Sequence, residues 1–296
     1  MKITITGSLG HIGKELTHNL VKNGHHVSVV TSTADRQKDI EALGAKAAIG
    51  SVEDVDFLRQ TFKGADLVYT MVPSNYFAEP DIREYYRKIG NNYAQAIKQA
   101  GVKRLVNLSS YGAHLDKGTG NILGAHYVEN SLNELKDAAI THIRPTYFYY
   151  NLLNLIPMIK DTGIIFANYG GDQKFEMVSP IDIASAITEE IESAPVQRKV
   201  RYVSSDELTG NEIANILGEA IGKPDLKWNV ISDEEALKGY RDIGFPELLS
   251  INLVNMFSSL HQGKLAEHYK LNKPEVLGKV KFKDFAKDFV TAYNKL

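Results

Sequence analysis

Gly7, Gly10 and Gly13 in "TGSLGHIG" stand at G-x-x-G-x-x-G spacing between a short β-branched run and an amphipathic stretch. A tight strand-to-helix turn needs backbone dihedrals that a Cβ resists, and a bound pyrophosphate must come close to the main chain. Free N–H groups and the positive end of the helix dipole then face the anion. The triplet follows a strand-like run, opens a helix-like one and begins a βαβ pattern, so the context predicts a dinucleotide site. The end of the next apolar run tells one dinucleotide from another. An acidic side chain there bonds the ribose 2′-hydroxyl of NAD and repels a 2′-phosphate. This chain has "VVTSTADRQKD": Thr31, Ser32 and Thr33 occupy the corner, Arg36 and Lys38 follow, and no carboxylate precedes Asp35. Hydroxyls and a guanidinium suit a phosphate, so NADP(H) is expected over NAD(H).

The elements that must carry this turn are legible as alternating strands and helices. Candidate strands are Ile3 to Thr6, His26 to Val30, Ala45 to Gly50, Asp66 to Val72, Arg104 to Ser110 and Ile140 to Arg144. Between them, Ile12, Leu16, Leu20 and Val21 share one helical face that stops at Gly24. Val55, Leu58 and Phe62 repeat the device before Gly64, and a longer helix ends at Gly101. Right-handed crossovers then imply an α/β fold, a doubly wound parallel sheet of the Rossmann type. After Arg144 the rhythm breaks into the aromatic, Pro-interrupted "PTYFYYNLLNLIPMIKDTG". Residues 1–150 are therefore expected to form the nucleotide-binding domain, with 180–205 returning to it as one more helix and strand. Residues 151–179 and 206–296 are expected to form a smaller, mainly helical substrate or lid domain.

Composition narrows the partners. The 296 residues carry 34 Lys plus Arg against 36 Asp plus Glu, so no global field would hold nucleic acid or an anionic membrane. "KVKFKDFAKDF" is interrupted by Asp284 and Asp288, which fits a solvated amphipathic helix better than a nucleic-acid patch. There is no cysteine, which excludes disulfides and thiolate chemistry. The nine histidines show no metal-ligand spacing, and no metal is expected. No run approaches eighteen apolar residues and the first strand starts at once, so a cytoplasmic protein is expected.

The chain resembles the NmrA-like branch of the atypical short-chain dehydrogenase/reductases. The resemblance rests on "TGSLGHIGKEL", "LGAKAAIGSVEDVDFLRQTFKGADLVYTMVP", "AGVKRLVNLSSYGA", "IRPTYFYYNL" and "FEMVSPIDIASAI", which follow in order over roughly the first two thirds of the chain, and on "EVLGKVKFKDFAKDF" as a C-terminal helix. It implies that Gly7, Leu9, Gly10, His11 and Ile12 wrap the pyrophosphate and that Ser32 with Arg36 meets the adenosine ribose. It also implies that Ser51 and Val52 border the adenine, and that Met71, Val72 and Pro73 line the nicotinamide ribose, with Thr146 and Tyr147 meeting the nicotinamide. Ser32 stands where many members have arginine, and Ser51 where many have aspartate.

Many short-chain reductases resemble one another in protonating the nascent alkoxide with a Tyr-x-x-x-Lys pair. Here the matching stretch reads "NILGAHYVENSL", and Tyr127 is followed four residues on by Ser131. The one Tyr-x-x-x-Lys, Tyr269 to Lys273, lies far into the C-terminal region and is read as coincidence. His126, Tyr127 and Tyr111, all beyond the fifth strand, remain the candidate proton donors, and His126 resembles a histidine of quinone-reductase-like members. Phe148, Tyr149 and Tyr150 are the candidate substrate pocket, with alternation sending about half of this aromatic run into the core. These features predict an NAD(P)H-dependent reductase of a small quinone-like or other conjugated acceptor, monomeric or homodimeric. The alternative is a non-catalytic NADP(H) sensor with a protein partner, and below it a nucleotide-sugar epimerase.

Overall fold

The structure, a computed structural model, describes residues 1–73, 75 and 81–295. The first half alternates β1 (Lys2–Ile5), α1 (Gly13–Lys22), β2 (His26–Thr31), α2 (Gln37–Ala42), β3 (Lys46–Ile49), α3 (Val55–Phe62), β4 (Leu67–Thr70), α4 (Ile82–Ala100), β5 (Arg104–Leu108), α5 (Leu123–Asn133) and β6 (Ala139–Pro145). Local chemistry sets the helix limits. Asp54 caps α3 and Asp81 caps α4 by accepting from first-turn N–H groups, and α4 stops at Gly101 in the left-handed region (φ 73°).

Beyond β6 come β7 (Tyr147–Phe148), α6 (Ile156–Thr162), β8 (Ile164–Ala167), β9 (Lys174–Val178), α7 (Pro180–Glu192), β10 (Arg198–Val203), β11 (Asp206–Thr209), α8 (Gly210–Ala220), β12 (Lys227–Val230), α9 (Asp233–Asp242), α10 (Glu247–His261), α11 (Glu267–Leu271) and α12 (Phe282–Lys295). Among the described residues the main sheet has seven parallel strands in the order β10-β6-β5-β4-β1-β2-β3. This is a doubly wound, Rossmann-like α/β sheet. The winding reverses between β1 and β4, which opens a crevice at their carboxyl ends.

Both faces of the sheet are covered. Leu16, Leu20, Ile183 and Ile187 pack with Ile3, Ile5 and Val29 on one side; Leu58, Phe62, Ile89, Tyr93 and Leu132 pack with Val68 and Leu105 on the other. A further core joins Tyr149, Ile156, Phe175, Trp228, Tyr269, Phe282 and Phe289 around two small sheets, β11-β9-β7 and β12-β8. The second half thus combines helices with short strands contributed from distant parts of the chain.

Candidate functional site

The glycine turn leaves β1 at the switch point. Gly7 has φ +92°, and a Cβ there would stand 2.4 Å from Met71 Sδ. A Cβ on Gly13 would stand 2.2 Å from the Ser8 carbonyl oxygen. Gly10 differs: its nearest neighbour would be the Gly7 oxygen at an ordinary 3.7 Å, so the protein itself has room for a side chain. The open side of Gly10 faces the cleft that runs from the turn to the end of β2. Ser8 also sits at positive φ (55°), held by its N–H on Val30 O (3.0 Å) and its Oγ on Thr31 Oγ1 (3.1 Å). Ile12, the residue before α1, supplies no side-chain cap, in contrast to Asp54 and Asp81 before α3 and α4, while the Lys14 N–H donates to Gly10 O (3.1 Å).

From the turn, a cleft of about 290 Å³ runs to the end of β2, lined by Gly7, Ser8, Leu9, Gly10, Thr31, Ser32, Thr33 and Arg36. Ser32, Thr33 and Arg36 are exposed there. Ser51 is exposed beyond β3, while Val52 is buried and its carbonyl accepts from Asn92 Nδ2 (3.3 Å). A larger concavity, about 450 Å³, lies by Lys2, His26, Lys46 and Lys63 at the amino ends of β1 to β3. Open α/β sheets bind ligands at carboxyl ends, so the smaller cleft is the candidate.

On the other side of the switch point, Met71 N–H donates to Thr6 Oγ1 (2.9 Å) and Tyr93 OH donates to Met71 O (2.7 Å), fixing the first residue after β4. Val72 is buried and Pro73 is half-buried. Thr146 is buried, its N–H on Val203 O (3.0 Å). The aromatic run divides by alternation. His11, at the turn, stacks on Tyr150 (4.3 Å between ring centres, 19° between planes), and Tyr150 stacks on Phe148 (5.1 Å, 23°). Tyr147 instead meets Tyr169 through its hydroxyl (3.0 Å), and its ring lies edge-on to Phe175. Tyr149 departs from the expected pocket: it is fully buried, donates to Asp206 (2.7 Å) and packs on Phe282. The structure brings Phe148 and Tyr150, with His11, to the mouth of the turn.

Two of the three candidate proton donors, His126 and Tyr111, are hydrogen-bonded within the chain. His126 Nδ1–H donates to Ala113 O (3.0 Å), and its Nε2 accepts from Asn130 Nδ2 (2.9 Å). Tyr127 lies under the Arg87 guanidinium at 4.1 Å, and Ser131, where a lysine would serve, donates to Asn91 (2.7 Å). Tyr111 is buried and donates to Glu176, whose carboxyl burial pushes above its ordinary range even though that bond opposes the shift. Tyr269 OH (3.0 Å) and Lys273 Nζ (2.5 Å) both meet the same oxygen of Glu207. That pair serves a carboxylate, with Tyr269 itself almost wholly buried.

One group beside the site went unnoticed in the sequence. Glu129 on α5 takes Arg144 at two oxygens (2.6 and 2.9 Å), Ser109 donates to it, and Arg144 Nη1 donates to the Tyr202 hydroxyl (3.2 Å). Burial is the largest single influence on Glu129 and works against its ionisation, but the hydrogen bonds and charge of Arg144, the nearby His142 and the Ser109 hydroxyl together outweigh it and hold the carboxyl below its ordinary range. A glutamate on the apolar face of a helix was the available signal, since such a charge is buried only when paired. Among the described residues no cluster of three or more His, Asp or Glu could hold a metal, and no helix is long and apolar enough to cross a membrane.

The model of the NmrA-like family matches residues 1–286. The chain belongs to the NmrA-like family. It is 25% identical over 296 residues to an NAD(P)H azoreductase of Xenophilus azovorans, spanning 98% of this chain and 99% of that protein. The NADPH-dependent quinone oxidoreductase of Escherichia coli, in complex with NADPH, superposes with a TM-score of 0.82 at 20% identity, over 97% of this chain and 99% of that one. Triphenylmethane reductase of Citrobacter sp., complexed with NADP(H), superposes at 0.79 with 17% identity, over 97% and 100%. These structures share the fold. Within the family frame, the two departures at Ser32 and Ser51 both fall on exposed positions at the adenosine end of the cleft.

Proposed function

We propose that this NmrA-like protein is an NAD(P)H-dependent reductase of a small conjugated acceptor such as a quinone or dye. The observation that carries the reading is the cradle at Gly7 to Gly13, where Gly7 and Gly13 leave no room for a side chain and Gly10 lines the open cleft. A nicotinamide dinucleotide fits that cradle, and bound NADPH would supply the hydride. In this reading Gly7, Leu9, Gly10, His11, Ile12 and Gly13 hold the pyrophosphate. Ser32 and Arg36 hold the adenosine phosphate, and Ser51 and Val52 border the adenine. Met71, Val72, Pro73, Thr146 and the backbone of Tyr147 frame the nicotinamide end.

NADP(H) is the preferred nucleotide on this account. Arg36 and three hydroxyl side chains surround the position where NAD-selective sites place a carboxylate. The stacked rings of His11, Tyr150 and Phe148 form an aromatic edge at the turn against which a planar acceptor would pack. A quinol or a reduced dye nitrogen can take its proton from solvent, which suits a site where His126 and Tyr111 are hydrogen-bonded within the chain. The likeness over full length to an NAD(P)H azoreductase supports the same reaction class.

The test is NADPH absorbance in purified protein with neutral quinones, azo dyes and triphenylmethane dyes, beside binding titrations of NADPH and NADH. Turnover with any acceptor supports the reductase. Tight binding without turnover across all three classes would point instead to a nucleotide sensor, and no binding of either nucleotide would refute the cradle assignment.

A further inference from the structure

A parallel sheet covered on both faces is built mainly from apolar residues, yet one face of this sheet turns polar at the amino ends of β1, β2 and β3. The register pairs Lys2 with His26, Thr4 with Ser28, and Ser28 with Lys46, and residues paired in this way send their side chains to the same face. Thr4 also pairs with Val68, which packs with Leu58 and Phe62 of α3, so this is the face that α3 covers. α3 ends at Phe62. The concavity of about 450 Å³ lies beside that end, with Thr61 and Lys63 on its wall.

Two features make this corner more than a solvated edge. The first is the Thr4 hydroxyl. Thr4 lines the concavity and is only 3% exposed, and among the described residues its hydroxyl has no hydrogen-bond partner. The oxygen is not sealed away, as the unpartnered Thr119 hydroxyl is. The other buried threonines on or just after strands of the main sheet all donate: Thr6 to Met71 O (3.3 Å), Thr31 to Thr33 O (3.4 Å), Thr70 to Asn107 (3.0 Å) and Thr141 to Glu190 (3.0 Å). A buried hydroxyl without a partner keeps its desolvation cost, which a group entering the concavity would offset. Ser28, its neighbour in register, likewise has no partner among the described residues.

The second feature is charge. Lys2, Lys46 and Lys63 line the same concavity, and among the described residues none of them has an ion-pair partner, whereas Lys88, Lys199 and Lys273 each hold a carboxylate. No acidic residue lines it, and Asp66, just before β4, accepts from the Lys2 main-chain N–H (2.7 Å). A lysine beside a helix carboxyl end offsets the helix dipole, which accounts for Lys63 after α3 but not for Lys2 and His26 side by side on β1 and β2. Cations gathered without a counter-charge repel one another, and a bound anion relieves that repulsion.

We propose that this corner is a second binding site, for a small polyanion carrying phosphate or carboxylate groups. The Thr4 and Ser28 hydroxyls donate to one anionic group, and Lys2, Lys46 and Lys63 neutralise the ligand from the rim. The site lies at the opposite end of β1 from the glycine turn and does not depend on the reductase reading. Its concave shape and size suit a small molecule better than a membrane surface.

The experiment titrates pyrophosphate and, separately, citrate into NADP⁺-saturated protein by calorimetry, using wild type, Thr4→Val and the double variant Lys46→Gln with Lys63→Gln. The expected result is saturable binding of at least one anion to wild type, weakened roughly tenfold or more in Kd by Thr4→Val and by the lysine pair. NADP⁺ affinity should stay unchanged, and Thr4→Val should melt at or above the wild-type temperature. Binding of pyrophosphate alone identifies a phosphate ligand, binding of citrate alone a carboxylate one, and binding of both the shared anionic chemistry. No saturable binding of either anion overturns the proposal, including the case in which anionic phosphatidylglycerol vesicles bind instead. Affinity that either set of substitutions leaves unchanged also overturns it: intact binding without the Thr4 hydroxyl would mark a diffuse field, and intact binding without the lysines a different site. If NADP⁺ does not bind, the cradle assignment fails, and the same variants still decide this corner, because none of them lines the glycine cleft.

Discussion

Placing a single methyl group at Gly10 should separate stability from nucleotide binding. The Cβ of Gly10→Ala would meet only the Gly7 oxygen, at 3.7 Å, and Gly10 lies outside the left-handed region. Folding therefore loses nothing and gains the smaller backbone entropy of alanine in the unfolded chain, about 0.4–1 kcal/mol. In a chain of this size that is a rise of roughly 1–4 °C in melting temperature. The same methyl stands where an anion must approach the backbone, and losing one charge-assisted N–H bond costs about 1.5–3 kcal/mol, roughly 10- to 150-fold in Kd. Gly13→Ala is the contrasting case. Its Cβ would fall 2.2 Å from a backbone oxygen, so the turn must shift, at a cost of about 1–3 kcal/mol in stability as well as in binding. Thermal melts and fluorescence titration with NADPH on the two variants read both quantities. Unchanged NADPH affinity in Gly10→Ala, or a melt as depressed as that of Gly13→Ala, would refute the division of labour within the turn.

Arg36→Ala should weaken NADPH by about 1.5–3 kcal/mol while leaving NADH nearly unchanged, which parallel titrations would detect; equal losses for both nucleotides would remove Arg36 from the 2′-phosphate. His126→Ala should leave kcat within about threefold of wild type, since the imidazole it deletes is bonded at both nitrogens inside the chain; a hundredfold fall would restore His126 as proton donor. Glu129→Gln should destabilise the fold by about 3–5 kcal/mol by leaving Arg144 buried without its counter-charge, measured as a lower denaturant midpoint at constant slope. The pH dependence follows in sign. The folded protein holds the Glu129 carboxyl below its ordinary value of 4.5, so its contribution is complete above that value and fades as pH falls through the lowered one. Wild type should therefore lose stability on acidification more steeply than Glu129→Gln, and parallel curves would show that Glu129 is not responsible.

The glycine turn, the alternation of strands and helices, and the hydroxyl-rich corner after β2 were fixed by local chemistry. Each depends on residues a few positions apart, on helical or strand periodicity, or on a dihedral only glycine adopts readily, and so each could be read along the chain. Tertiary structure decided what the side chains around that turn do. Alternation predicted that the run Tyr147 to Tyr150 divides between core and cleft, but only the packing of β7 against β9 and of Tyr149 against α12 says that Phe148 and Tyr150 face His11. The candidates His126 and Tyr111 were located by their place after β5, yet their availability is settled by Ala113 in a loop 13 residues away and by Glu176 on another sheet. Glu129 and Arg144 find each other across 15 residues, and Tyr269 and Lys273 share Glu207 across more than 60. A sequence shows which groups carry charge or a proton; which of them meet depends on long-range packing, because burial and distance, not residue type alone, determine whether a polar group is spent inside the fold or left for a ligand.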